Sequence, residues 1–121
     1  MGRILFVDDD CDALETYTKA VSLADHHAVV AASAREALKT IQGEQFDLIF
    51  VDLNLPEISG LELIERLTSE ELVKATPIIV LSALPEKDLL DEVIHAGAQL
   101  FLGKPVSLAD LLDVIARFDS E

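Results

Sequence analysis

The chain has 121 residues, of which 50% are apolar, and this favours one globular domain over residues 1–121 rather than a disordered segment. The formal net charge of −14, with only nine scattered Lys and Arg residues, argues against nucleic-acid binding, because a phosphate backbone needs clustered basic side chains. No apolar run is long enough to span a membrane, the N-terminus lacks a secretory signal, and the single Cys11 excludes a disulfide framework; together these features favour a cytoplasmic protein.

Five short apolar runs predict five β-strands, and a helical pattern follows each of them. The third run, Leu48 to Val51, is followed directly by Asp52, and Pro56 then prevents regular structure from continuing. Unbroken apolar runs between such breakers are typical of strands buried on both faces of a parallel sheet. In chain order, the predicted strands are Ile4–Val7, His27–Ala31, Leu48–Val51, Pro77–Ser82 and Gln99–Leu102.

Apolar residues at spacings of three and four predict the five helices. Asp10, Ser33 and Ser107 are expected to cap the first, second and fifth helices, and Gly43 and Gly97 to end the second and fourth. The predicted buried stripes, in chain order, are Leu14, Tyr17, Val21 and Ala24; Ala37, Leu38 and Ile41; Leu61, Ile64 and Leu67; Leu89, Leu90, Val93 and Ile94, in a helix from Glu86 to Ala96; and Leu108, Leu111, Leu112 and Ile115.

This alternation indicates an α/β fold, a doubly wound parallel sheet with right-handed crossovers. In such a sheet the carboxyl ends of the strands lie along one edge, where ligands bind in open α/β folds. We therefore expect the polar side chains that follow four of the strands to converge there: Asp8, Asp9 and Asp10; Asp52; Ser82; and Lys104.

The chemistry of this predicted cluster suits phosphoryl transfer. Grouped carboxylates repel one another, and a site of oxygen ligands favours Mg²⁺. The hydroxyl of Ser82 and the ammonium of Lys104 could hold phosphoryl oxygens, in a reaction that depends on positioning and charge neutralisation. Singly, each residue has an ordinary role: Asp10 as an N-cap, Asp8 and Asp9 as helix-start acids, and the other two as a strand-end hydroxyl and a surface lysine. Their placement at the same end of four strands favours a shared site.

Four motifs, in this order and spacing, make the whole chain resemble a receiver domain of two-component response regulators, of the chemotaxis-regulator type. The family pattern is an acidic pair after the first strand, a phosphorylated Asp after the third, Thr or Ser after the fourth, and Lys-Pro after the fifth. In this chain the motifs read Ile4-Leu-Phe-Val-Asp-Asp9, Val51-Asp-Leu-Asn-Leu-Pro56, Ile79-Val-Leu-Ser-Ala83 and Phe101-Leu-Gly-Lys-Pro105. The resemblance implies a flavodoxin-like sheet with strand order 2-1-3-4-5 and five helices.

The resemblance also implies roles for the residues of the cluster. Asp52 would accept a phosphoryl group from a sensor histidine kinase or a histidine phosphotransfer protein, with Mg²⁺ as cofactor. Asp9 and Asp52 would bind the metal directly, together with the backbone carbonyl of Asn54, whereas Asp8 would act mainly through a bound water. Lys104 would pair with the phosphoryl oxygens and precede a cis proline. The protein would be a signalling domain that promotes only its own phosphorylation and dephosphorylation.

A conformational switch is a further implication of the resemblance. Ser82 would turn its hydroxyl towards the phosphoryl group, and Phe101 would move inward, so that a local charge event alters a distant surface. Ser82 replaces the commoner Thr, and Phe101 replaces a frequent Tyr. Val106 stands where the family often has Phe. Our hypothesis for Leu84 is that this apolar side chain cannot orient an attacking water and partly shields the acyl phosphate.

Three other functions are open to a chain with this pattern. A phosphatase of the haloacid dehalogenase type would also place Asp8 and Asp10 after a first strand, but it needs further acids after a late strand. A flavodoxin-type protein that binds a flavin nucleotide would need hydrogen-bond donors after the first strand, because carboxylates there would repel the phosphate of the nucleotide. A receiver-like domain that only binds partners would not need the complete set of acids with Lys104.

The remaining reactive residues carry no predicted site. His26, His27 and His95 lack the spacing of metal ligands, and we expect them at the surface or partly buried. Cys11 is expected to be inert and packed, because the neighbouring acids oppose thiolate formation. The face formed by the fourth helix, the fifth strand and the fifth helix is one through which this family often dimerises. The sequence leaves open whether the chain is a complete protein or part of a longer regulator.

Overall fold

The computed structural model describes residues 2–70, 76–83 and 87–118, and for 87–89 it describes only the backbone. Five parallel strands form one sheet, and their spatial order is 2-1-3-4-5 when they are numbered along the chain, as predicted. The strands are β1 (Arg3–Val7), β2 (His27–Ala31), β3 (Leu48–Asp52), β4 (Ile78–Ser82) and β5 (Leu100–Gly103). The boundaries differ from the predicted ones by one residue at the start of β1 and β4, at both ends of β5, and at the end of β3.

Five helices alternate with these strands: α1 (Cys11–Leu23), α2 (Ala34–Gly43), α3 (Gly60–Ser69), α4 (Lys87–Ala96) and α5 (Leu108–Phe118). The predicted caps of α1 and α2 are confirmed, because Asp10 accepts from the amides of Asp12 and Ala13, and Ser33 accepts from the amide of Glu36. Side-chain oxygens at these positions satisfy amide donors that the first helical turn leaves unpaired. Ser107 likewise accepts from the amide of Asp110 at 3.0 Å.

The helices lie on both faces of the sheet and bury two separate apolar clusters. One cluster joins the sheet to α2, α3 and α4, and the other joins it to α1 and α5. β3 and β4 are buried along their full length, as the unbroken apolar runs predicted. Among the described residues, no helix is both long and apolar enough to cross a lipid bilayer.

Among the stripe residues whose side chains are described, three are exposed instead of buried; the side chain of Leu89 and the predicted helix start at Glu86 lie outside the described part of the chain. Ala24 is the C-cap of α1, one residue beyond the helix. Ile94 and Leu108 are 50% and 48% exposed, because the buried face of α4 includes Val93 and that of α5 is centred on Leu111 and Ile115. The buried Leu63 and Val114 lie on the packed faces of α3 and α5 but outside the predicted stripes, which shows that spacing located each stripe only to within one residue.

Candidate functional site

The exit of β1 places two neighbouring acids in different environments. Asp8 is 1% exposed, whereas Asp9 is exposed to solvent. The amide of Asp8 donates to the carbonyl of Ala31, so β2 holds the strand end in place. Asp8 Oδ1 accepts from the amide of Asp10 at 2.9 Å. Asp8 is therefore a buried member of the site and not a simple helix-start acid, whereas Asp10 is the predicted N-cap.

The exit of β3 holds the second buried carboxylate. Asp52 is 5% exposed, and its Oδ1 accepts from the amide of Asn54 at 3.1 Å. The next residue, Leu53, donates its amide to the Leu81 carbonyl of β4 and accepts from the amide of Gly60 at the start of α3. Hydrogen bonds to β4 and from the start of α3 thus hold the backbone of Leu53, the residue that follows Asp52, in place.

Lys104 crosses from the end of β5 to both buried acids. Its Nζ donates to Asp8 Oδ2 at 2.8 Å and to Asp52 Oδ2 at 3.0 Å. The amide of Lys104 donates to the Ser82 carbonyl at 2.8 Å, which anchors the lysine at the end of β4. The Lys104–Pro105 peptide bond is cis, as the family resemblance implied. The ion pair between Lys104 and Asp8 was not predicted from the sequence.

The three acids Asp8, Asp9 and Asp52 form an oxygen-lined cluster. Each contributes a carboxylate oxygen, and these oxygens lie within 4.8 Å of one another. Three carboxylates against the single charge of Lys104 leave this edge of the sheet negative. Hard oxygen ligands with a negative balance fit Mg²⁺, which prefers carboxylates and retained waters. The residues present are therefore compatible with this ion.

Burial and the neighbouring charges shift the titration of two of these groups. Burial raises the pKa of Asp52, and the nearby Asp8 raises it further, while the hydrogen bonds from Asn54 and Lys104 oppose the shift. For Lys104, burial alone would lower the pKa. The hydrogen bonds to Asp8 and Asp52 more than offset burial, so the net pKa of Lys104 is raised. Lys104 therefore stays charged at neutral pH and balances part of the acidic cluster.

The two residues predicted to form the switch lie on the adjacent strands β4 and β5. Ser82 ends β4 and is 5% exposed, and it pairs in register with Gly103 of β5. Phe101 pairs with Val80 and is half-buried against the cluster that α2, α3 and α4 cover. Leu84, for which we hypothesised a shielding role, lies outside the described residues.

The histidines and the cysteine, for which no site was predicted, mostly have the predicted degree of solvent exposure. His26 is half-buried, and His27 and His95 are exposed, which confirms their expected surroundings. Cys11 is exposed, so the expectation that it is packed was wrong. It is the first residue of α1, a position from which its side chain projects into solvent beside the cap.

The chain is similar to known proteins over most of its length. The family described as "Response regulator receiver domain" matches residues 4–116. The chain belongs to the response regulator receiver family. A receiver domain acts as a phosphoacceptor in two-component signalling, and it is a signalling domain rather than a metabolic enzyme.

Individual relatives agree with this assignment. The phosphate regulon transcriptional regulatory protein PhoB of Pseudomonas aeruginosa is 35% identical over 109 residues, which span 90% of this chain and 48% of PhoB. A hybrid signal transduction histidine kinase A of Dictyostelium discoideum is 35% identical over 92 residues, or 73% of this chain and 4% of the kinase. The chain thus spans about half or less of these relatives.

A solved structure covers the whole receiver domain. The chemotaxis protein CheY4 of Vibrio cholerae superposes with a TM-score of 0.92 at 30% identity, and the match covers 98% of each chain. The predicted flavodoxin-like fold with strand order 2-1-3-4-5 is therefore confirmed by both the sheet topology and this neighbour.

Proposed function

We propose that residues 1–121 form a single receiver domain in which Asp52 accepts a phosphoryl group from a histidine of a sensor kinase or a phosphotransfer protein. The observation that supports this most strongly is the environment of Asp52. This carboxylate is buried at a strand end, faces Lys104 at 3.0 Å, and shares the site with Asp8 and Asp9. A structural aspartate would not need two further acids beside it, because their repulsion disfavours its charged form.

In the proposed reaction an oxygen of Asp52 attacks the phosphorus of a phosphohistidine. The new O–P bond forms an acyl phosphate, the P–N bond breaks, and the histidine ring nitrogen keeps the electron pair. Asn54 holds one oxygen of Asp52 through its amide, which limits the rotation of the attacking group. Lys104 remains charged and lies within reach of the transferred group, where it neutralises the phosphoryl oxygens.

The proposed metal ligands are Asp8, Asp9, Asp52 and the backbone carbonyl of Asn54, with Asp8 acting mainly through water. When bound, Mg²⁺ neutralises charge on phosphoryl oxygens and orients them. The carboxylates of Asp8, Asp9 and Asp52 repel one another, and a bound cation or protonation reduces this repulsion. Dependence of the reaction on Mg²⁺ is part of the proposal.

The proposed switch couples the site to β5. A phosphoryl group on Asp52 would draw the hydroxyl of Ser82 towards it, and Phe101 would turn into the space released. The buried Ser82 and the half-buried Phe101 on adjacent strands support such a coupling. A Ser82→Ala variant should still accept the phosphoryl group but lose the phosphorylation-dependent shift of the Phe101 ring resonances. Equal ring shifts in both proteins would contradict the coupling.

The proposed partners follow from the family and the surface charge. Receiver-domain relatives include histidine kinases, which supports a sensor kinase or a phosphotransfer protein as the phosphoryl donor. The net charge of −14 disfavours nucleic-acid binding by this domain. We further propose a cytoplasmic location without membrane attachment, and dimerisation through α4, β5 and α5, where Ile94 and Leu108 are about half exposed. A phosphorylated Ile94→Lys variant that dimerises as well as its parent in sedimentation would contradict this interface.

Intact mass measurement after incubation with Mg²⁺ and a small phosphodonor tests the proposed function. We expect the mass to rise by one phosphoryl group in the parent protein and in the control variant Asp47→Asn, whose side chain lies at the opposite edge of the sheet. The Asp52→Asn variant should show no gain. A phosphoryl gain that survives in Asp52→Asn, or no gain in the parent, would refute the assignment.

A further inference from the structure

Gly60, the first residue of α3, lies unusually close to the backbone that follows Asp52. A Cβ atom built on Gly60 would lie 2.4 Å from the Asp52 carbonyl oxygen and 2.7 Å from the Leu53 Cα. Both neighbours are main-chain atoms, so no side-chain rotation relieves the overlap. Glycine is therefore required here by space, since alanine would otherwise be the better residue in a helix.

The contact concerns the same peptide that holds the phosphoacceptor in position. Gly60 donates its amide to the Leu53 carbonyl at 3.1 Å, and Leu53 donates to Leu81 of β4 at 3.1 Å. The following amide, that of Asn54, donates to Asp52 Oδ1 at 3.1 Å. A displacement of the peptide between residues 52 and 53 therefore moves the donor that orients the Asp52 carboxylate.

The packing around α3 determines where a side chain at position 60 would cause movement. Leu63, Ile64 and Leu67 of this helix are each fully buried, so α3 cannot shift away from the sheet without opening the core. The residues immediately after Leu53 are less constrained, and Asn54 is exposed. Any substitution at Gly60 is thus accommodated mainly at the rim of the sheet, beside the acidic cluster.

We infer that Gly60 is a positioning residue for the phosphoacceptor site: its lack of a side chain lets α3 start against the Asp52–Leu53 peptide and so fixes the Asn54 backbone. This inference deepens the proposed function and rests on it, because the Asn54 carbonyl is the proposed metal ligand. It gives Gly60 a role in Mg²⁺ affinity that is separate from its contribution to folding.

The test compares Gly60→Ala with two matched controls. Gly43→Ala adds the same methyl group at the end of α2, where a Cβ has nothing within 4 Å. Leu67→Val weakens the packing of α3 but lies two turns away from the contact. In the absence of metal, the Asn54 amide of Gly60→Ala should exchange its proton at least about fivefold faster, equivalent to the loss of one hydrogen bond. The controls should retain the parent rate at this amide.

The second measurement is the dissociation constant for Mg²⁺, which is obtained from the changes in amide chemical shifts during a titration with Mg²⁺. We expect it to rise about tenfold or more in Gly60→Ala, as for residues that orient metal ligands, and to stay unchanged in Gly43→Ala and Leu67→Val. Unchanged Asn54 exchange and Mg²⁺ affinity in Gly60→Ala would overturn the inference. Equal losses in Leu67→Val would overturn it too, because general destabilisation would then explain them.

Two precautions keep the result decisive. Trimethylamine N-oxide, and a temperature near that of maximum stability, about 10–20 °C, favour the folded state during the titrations. If Gly60→Ala alone is too unstable, the exchange measurement uses an Asp52→Asn background, whose side-chain oxygen still accepts from Asn54. Absence of Mg²⁺ binding by the parent protein would refute the proposed function, whereas the metal-free exchange rates decide the role of Gly60 separately.

Discussion

Replacing the buried Asp52 carboxylate with an asparagine amide should raise the free energy of unfolding at neutral pH when no divalent cation is present. The side chain of Asp52 is 7% exposed, and it shares Lys104 with the even more deeply buried Asp8. Asparagine keeps the shape and the oxygen that accepts from the Asn54 amide. Lys104 keeps Asp8 as its partner in the variant, so no buried charge loses its only counterion.

The expected magnitude follows from the opposing electrostatic contributions at Asp52. At an effective dielectric constant of about 20, the attraction to Lys104 at 3.0 Å is about 5.5 kcal/mol. Repulsion by Asp8, whose oxygen lies within 4.8 Å, is at least about 3.5 kcal/mol on the same scale. Removal of the carboxylate from water costs several kcal/mol more, so the ionised side chain destabilises the fold. We expect a gain of about 2 kcal/mol in the variant, or about 8 °C in Tm for a chain of this length.

The gain should depend on pH in a defined direction. Because the folded pKa of Asp52 is raised by burial, the native state binds this proton more tightly than the unfolded state. Stability therefore falls as pH rises from the unfolded pKa, about 3.9, through the folded pKa, and the loss is complete above the latter. The difference in unfolding free energy between Asp52→Asn and the parent should be small at a pH near the unfolded pKa and largest at neutral pH.

Urea denaturation in a metal chelator, repeated across this pH range, measures the difference. Asp9→Asn is the matched control, because it removes the same charge from an exposed member of the cluster and should give a smaller gain. If the variant is no more stable than its parent at neutral pH, or if the gain has the same size at every pH, the ionised Asp52 does not destabilise the fold.

Three further predictions concern the charges and the lifetime of the phosphorylated site. Mg²⁺ should raise the Tm of the parent protein, since a ligand that binds only the native state stabilises it, and this rise should be much smaller in Asp9→Ala; equal rises in a thermal melt would contradict the proposed ligand set. Lys104→Met should lose about 3 kcal/mol of stability in a chelator, because it leaves Asp8 and Asp52 without a buried partner, and an unchanged urea midpoint would contradict this. Leu84→Glu should shorten the lifetime of the phosphorylated protein measured by intact mass, and a lifetime no shorter than that of the parent would count against shielding by Leu84.

The fold was predictable because its signals are local and repeated. Apolar runs, caps at Asp10 and Ser33, and glycines after helices give five strand–helix units, and the alternation permits few arrangements. The edge at which the strand ends meet then follows from the parallel sheet, so the convergence of Asp8, Asp52 and Lys104 was also predictable.

Features that depend on three-dimensional distance were not predictable. The sequence does not reveal that Lys104 bonds both buried acids, because 96 residues separate it from Asp8. Nor does it reveal the close approach of Gly60, which reads as an ordinary glycine ahead of an amphipathic helix. The exposed Ile94 and Leu108 were assigned to buried stripes because apolar spacing alone does not distinguish the centre of a packed face from its margin.

Chemical trapping with borohydride identifies which aspartate carries the phosphoryl group. Borohydride reduces an aspartyl acyl phosphate to homoserine, which marks the phosphorylated residue permanently. After incubation with Mg²⁺ and a phosphodonor, followed by borohydride, we expect peptide mass spectrometry to find homoserine at position 52 and unmodified aspartate at positions 8 and 9. Homoserine at position 8 or 9, or no homoserine at position 52, would contradict phosphorylation of Asp52.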